Sequence, residues 1–196
     1  IDMPGEKGGL VANVNYLSRR YKNNWDPKTI MWAGMGQGDI TVTPLQLCNL
    51  AASIANRGYF FTPHIHKNVD WSPLSSRFTT PRQTKVPPYI YADVIKGMRL
   101  AVTKGTATVL NETTYPVCGK TGTAENSGKD HSVFIGFAPM NEPKIAISVY
   151  IEHGGFGADV AAPIAGLIME KYLKGKLSPK SQAMAKRIER INTITK

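Results

Sequence analysis

The stretch Gly119-Lys120-Thr121-Gly122-Thr123-Ala124 gathers the side chains most able to do chemistry in this chain. It combines a cation, two hydroxyls and a residue with no side chain, which suits an extended anionic substrate lying along a strand edge. A nucleotide-phosphate loop needs glycine, four residues, then Gly-Lys-Ser/Thr. The first glycine would fall at Thr114, and strand-forming residues follow the lysine where that motif needs a helix, so this reading is rejected. Cys48 and Cys118 stand far apart with no Cys-x-x-Cys and no nearby histidine spacing, so they read as small core residues rather than metal ligands. His64 and His66 would share one face of a strand, but no third ligand is in view, and they read as surface or turn residues. Neither metal nor organic cofactor is implied.

Elements must place that stretch. Thr43-Pro44-Leu45-Gln46 has the form of a capped helix start, and Leu47, Leu50, Ala51 and Ile54 then recur at helical spacing up to Gly58. A second helix is expected from about Pro88 to Lys104, with Ile90, Val94, Met98 and Val102 on its inner face. Three strands follow, near 117–125, 132–138 and 145–152, the last alternating Ile145, Ile147, Val149 and Ile151 against Ala146, Ser148 and Tyr150. A closing helix over about 159–173 would turn Val160, Ile164, Leu167, Ile168 and Tyr172 inward. The first 35 residues are polar and turn-rich, with no strong period. Helices, then an antiparallel meander, then a covering helix give an α+β architecture rather than a doubly wound one.

The chain's 196 residues, 42% hydrophobic, suffice for one ordinary core. No window approaches the roughly 18 apolar residues of a membrane helix; the longest candidate, Val160 to Met169, is broken by Pro163 and Gly166. The net charge is +10, of which +6 lies between Lys174 and Lys196. No aromatic residues are interleaved with these cations, so the nucleic-acid reading is set aside and residues 174–196 are expected to be a basic, flexible tail.

Several segments together resemble the class B penicillin-binding proteins of the elongation type. They are the opening Ile1-Asp2-Met3-Pro4-Gly5-Glu6, Gly36-Gln37-Gly38 with Thr43-Pro44-Leu45-Gln46-Leu47, the Gly105-Thr106-Ala107 turn, Lys120-Thr121-Gly122, Phe137-Ala138-Pro139 and Glu152-His153-Gly154-Gly155. The resemblance runs from residue 1 to about 173. It implies the penicillin-binding protein and serine β-lactamase-like fold, here incomplete, and a D-alanyl-D-alanine transpeptidase that cross-links peptidoglycan by serine acyl transfer. It gives Lys120 a cationic role beside the reacting serines, and Thr121 a hydroxyl for the substrate's terminal carboxylate. Gly122 would allow close approach of substrate, and Thr123 would supply an oxyanion N–H. The implied partners are stem peptides ending in D-Ala-D-Ala, β-lactam antibiotics and other cell-wall elongation proteins. The implied location is outside the cytoplasmic membrane, with an anchor in the parent protein.

The family also requires Ser-x-x-Lys and Ser-x-Asn, and none of the ten serines starts either motif. Residues 1–173 are therefore expected to be the C-terminal part of a transpeptidase domain, inactive alone and prone to self-association where missing elements would leave apolar surface bare. A serine β-lactamase and a non-catalytic β-lactam or muropeptide sensor share the strand motif and stand as alternatives. Hydrolytic turnover marks the first, and different upstream segments mark the second.

Overall fold

Capping residues explain most helix starts. Asn13 accepts a hydrogen bond from the Tyr16 amide and opens α1 (Val14–Arg20), and Asp26 accepts from Thr29 and opens α2 (Pro27–Gly34) with Pro27 in the first turn. Then come α3 (Pro44–Ala55), β1 (Tyr59–Phe60), the single turn α4 (Ser76–Thr79) and β2 (Arg82–Gln83). α5 (Pro88–Thr103) is followed by a 3-10 turn at Thr108–Leu110 and by β3 (Cys118–Ala124), β4 (His131–Ala138) and β5 (Ile145–Ile151). α6 (Ala161–Lys174) and α7 (Pro179–Ile188) complete the order. The computed structural model describes residues 1–67, 73–111 and 114–193. It divides into one unit of Ile1–Pro4 with Pro44 onward, and another of Gly5–Thr43.

In the larger unit the sheet is antiparallel in the order β3-β4-β5, with Thr121 opposite Phe134 and Gly136 opposite Ile147. Alternation then sends the two faces into two cores. Phe134, Ile147 and Val149 pack with Val102, Leu110, Val117 and the α6 residues Ala161, Ala162, Ala165 and Met169. Cys118 and Phe137 pack on the other side with Ala55 of α3 and Tyr91, Ile95 and Met98 of α5. The α+β meander between helical layers is as the sequence indicates, and the strand limits shift by only a residue or so. β1 and β2 form a separate two-stranded ribbon, with Tyr59 opposite Gln83.

Helix faces depart more from expectation. The inner face of α5 is Tyr91, Ile95, Met98 and Val102, while Ile90 and Val94 are exposed. The helix is apolar on two adjacent stripes, and only the sheet selects between them. On α6 the inner residues are alanines and Met169, while Ile168 and Tyr172 face outward. Small side chains let this helix lie close to the large Phe134, so bulk on the helix is not needed to fill the layer. In α3, Ala51 and Ala55 are buried and Leu50 is exposed. The smaller unit holds α1 and α2 where no period was evident. They are short helices set by their caps, and Arg20 and the Tyr21 hydroxyl both reach Asp39, at 2.8 and 2.7 Å.

The basic segment after Lys174 differs from a flexible tail in one respect, because Pro179–Ile188 is helical. Ser178 caps it through the Ser181 amide, and the Ser178 amide donates to the buried Glu170 carboxylate of α6 at 3.3 Å. Burial alone would raise the Glu170 pKa. The hydroxyls of Ser181 and Ser178, the Ser178 amide and Lys174 outweigh it and hold the carboxyl below its ordinary value. A cavity of about 210 Å³ lies between α6, α7 and the 3-10 turn. No helix among the described residues is long and apolar enough to cross a membrane.

Candidate active site

β3 is an edge strand. β4 pairs with one side of it, and no strand pairs with the other among the described residues. Lys120 and Gly122 share the face of Cys118, and Thr121 and Thr123 lie on the opposite, α6-side face. The Lys120 side chain is exposed, and its ammonium donates to the Thr121 carbonyl at 2.7 Å. Thr121 is buried, and its hydroxyl shares a 2.5 Å hydrogen bond with the Thr106 hydroxyl. The strand thus brings all four expected site residues together, with the Thr121 hydroxyl held inward rather than open to solvent.

Thr106 has no role in the sequence reading, although its turn is part of the resemblance. The turn is pinned beneath the end of α5. The Ala107 amide donates to the Ala101 carbonyl at 2.9 Å, and a side chain at residue 105 would stand 2.8 Å from the Ala101 Cα, so Gly105 is required. Arg99 anchors the approach to β3 through the Val117 carbonyl at 2.9 Å and the Asn111 side chain at 3.1 Å. A threonine hydroxyl reaching across fifteen residues of sequence leaves no local signature. Only the fold pairs it with Thr121.

The far end of β3 is held by two loops. The His153 amide donates to Nδ1 of His131 at 3.0 Å, the His153 ring contacts the Lys129 carbonyl at 3.0 Å, and the Gly155 amide donates to the Asp130 carbonyl at 2.8 Å. Beside them the Ser132 hydroxyl donates to the Phe156 carbonyl and accepts from the Ala161 amide, both at 3.0 Å. It caps α6 from a neighbouring strand, since Val160 at the N-cap position has no side-chain cap of its own. Ser132 is fully buried in this structural task. His66 meets the Asp2 carboxylate, which also accepts from the Ile65 and His66 amides. Burial raises the Asp2 pKa, and those hydrogen bonds more than offset it, so Asp2 stays well below the usual carboxylate range. Among the described residues no group of three or more His, Cys, Asp or Glu side chains is arranged for a metal.

A family profile described as the penicillin-binding protein transpeptidase domain matches residues 1–170. The chain belongs to this family. The peptidoglycan D,D-transpeptidase MrdA of Acinetobacter baumannii is 31% identical over an alignment of 186 positions that covers 84% of this chain and 28% of that protein. The D,D-transpeptidase PbpA of Mycolicibacterium smegmatis is 34% identical over an alignment of 155 positions that covers 71% of this chain and 31% of the relative. Among solved structures, Pseudomonas aeruginosa PBP2 in complex with WCK 5153 superposes with a TM-score of 0.80 at 35% identity, over 91% of this chain and 40% of that one. PBP2 of Helicobacter pylori in complex with MreC gives 0.73 at 26% identity, over 90% of this chain and 33% of that one. The chain thus spans under half the length of these relatives, and the resemblance to class B, elongation-type enzymes is upheld. Residues after 170 lie beyond the family match.

Proposed function

We propose that this chain forms the substrate-facing wall of a peptidoglycan D,D-transpeptidase whose nucleophilic serine lies in another part of the protein. The observation that carries the reading is the Lys120-Thr121-Gly122-Thr123 segment on an edge strand whose register is locked between two helical layers. A stem peptide ending in D-Ala-D-Ala would lie antiparallel along the outer edge of β3. Lys120 supplies a positive charge for an anionic substrate and for the serines around it. The Thr123 hydroxyl serves the terminal carboxylate, while the Thr121 hydroxyl, bonded to that of Thr106, holds the strand from its inner side. Gly122 keeps the edge free of bulk, and the Thr123 amide serves the developing oxyanion.

The serine attacks the penultimate carbonyl, the terminal D-alanine leaves, and the amine of a neighbouring stem peptide takes the acyl group. β-Lactams follow the first half of this path and stop at the acyl-enzyme. Placement outside the cytoplasmic membrane follows from the peptidoglycan substrate that the MrdA relatives are named for, and the Helicobacter pylori PBP2–MreC complex supports a partner among cell-wall elongation proteins.

The test is labelling with a fluorescent penicillin. The full-length protein labels at a stoichiometry of one. Lys120→Ala lowers its acylation rate by about 10- to 100-fold, the value of one charge-assisted hydrogen bond. This chain alone forms no adduct. Stoichiometric labelling of the isolated chain, or a Lys120→Ala protein that acylates as the parent does, refutes the reading.

A further inference from the structure

The transpeptidase reading accounts for β3 itself but not for what sets its position. Gly157 is buried on the α6 side of the sheet. A Cβ placed there would lie 2.3 Å from the Val133 carbonyl oxygen, 2.5 Å from the Gly122 carbonyl oxygen and 3.1 Å from the Gly122 nitrogen. All three are backbone atoms of paired strands, so no side chain can swing away to make room.

The loop carrying Gly157 cannot retreat either. Phe156, just before it, is tied by its carbonyl to the Ser132 hydroxyl at 3.0 Å. The Gly157 carbonyl itself accepts from the Ala162 amide at 2.9 Å, inside the first turn of α6. Gly155 is tied to Asp130. Of the two strands it touches, β4 is paired on both sides and β3 on one. Any displacement is therefore taken up by β3, at Gly122 and at the adjoining Thr123.

We propose that Gly157 is a positioning residue for acyl transfer, its bare backbone setting the place of Gly122 and Thr123 on the Lys-Thr-Gly strand. The inference rests on the transpeptidase reading above and deepens it. It adds a residue 35 positions downstream that touches no substrate and yet decides where the substrate-facing backbone stands. Geometry of this kind is strict, since a shift of about 1 Å at reacting groups costs about 10²-fold in rate.

The experiment uses the full-length protein with Gly157→Ala and a stability control, Met169→Ala, which truncates a fully buried α6 residue of the core away from β3. Thermal unfolding ranks the variants. Stopped-flow acylation by a fluorescent penicillin, below both unfolding temperatures, separates binding from the acylation rate constant of the bound complex. The expected result is a fall of about 10²-fold in that rate constant for Gly157→Ala, with Met169→Ala acylating at the parental rate.

Parental acylation by Gly157→Ala, or losses that follow thermal stability equally in both variants, overturns the proposal. If Gly157→Ala does not fold, Ser132→Ala replaces it, because it releases Phe156 and loosens the support without adding an atom. It must then lose more acylation than Met169→Ala at equal stability, and equal loss overturns the inference. A parent that does not acylate at all overturns the transpeptidase reading and this inference with it. A parent that acylates beside an unaffected Gly157→Ala removes only the inference.

Discussion

Replacing Ser132 by alanine tests whether the sheet and α6 are joined as the hydrogen bonds indicate. The hydroxyl is fully buried and makes two bonds of 3.0 Å, one to the Phe156 carbonyl and one from the Ala161 amide. The Ala161 amide opens a helix with no other side-chain cap, whereas the Phe156 carbonyl, in the preceding loop, also accepts from the Asp159 amide at 3.0 Å. Stranding the buried Ala161 amide costs about 1–3 kcal/mol and losing the bond to the still-paired Phe156 carbonyl about 1 kcal/mol more, about 2–4 kcal/mol together. A local cap is worth only about 1 kcal/mol, which is the loss expected for Ser178→Ala at the start of α7. Urea unfolding followed by far-UV circular dichroism measures both. The midpoint should fall for Ser132→Ala with the slope unchanged, and the melting temperature should drop by about 5–15 °C. A loss for Ser132→Ala no larger than that for Ser178→Ala refutes the tertiary cap.

Two further outcomes follow from burial and charge. Glu170 has a folded pKa below its ordinary value, so its contribution is fully present above the ordinary carboxylate range and is lost as pH falls through the folded value. Glu170→Gln should therefore destabilise at neutral pH, with the gap to the parent closing in acid, and a pH-independent gap in urea titrations contradicts this. Burial pushes the Cys118 thiol up to about 11, with Arg99 and Arg57 only partly opposing it. At pH 8 about one part in a thousand is thiolate, so Cys118 should resist a thiol reagent until urea unfolds the chain, and rapid labelling of the folded protein rules that out.

The local signals that worked were those in which one residue decides its own neighbourhood. Thr43-Pro44 marks a helix start, and Ile145-Ala146-Ile147-Ser148-Val149 can only bury one face as a strand. Asp26-Pro27 is a signal of the same kind that the polar surroundings obscured, and it opens α2. Faces of helices were less legible. Ile90 and Val94 obey the helical period as well as Tyr91 and Ile95 do, and period alone carries no information about where the sheet lies.

By itself the sequence determined the α+β order, the edge strand carrying Lys120 to Thr123, and the absence of Ser-x-x-Lys and Ser-x-Asn from this chain. Those follow from short-range rules of pattern and spacing. Only the tertiary structure decided that Thr106 holds the Thr121 hydroxyl, that Ser132 caps a helix belonging to another layer, and that Gly157 lies against Gly122. In each case the partners are 15 to 35 residues apart, and the contact exists because the layers are packed closely enough to bring distant parts of the chain together.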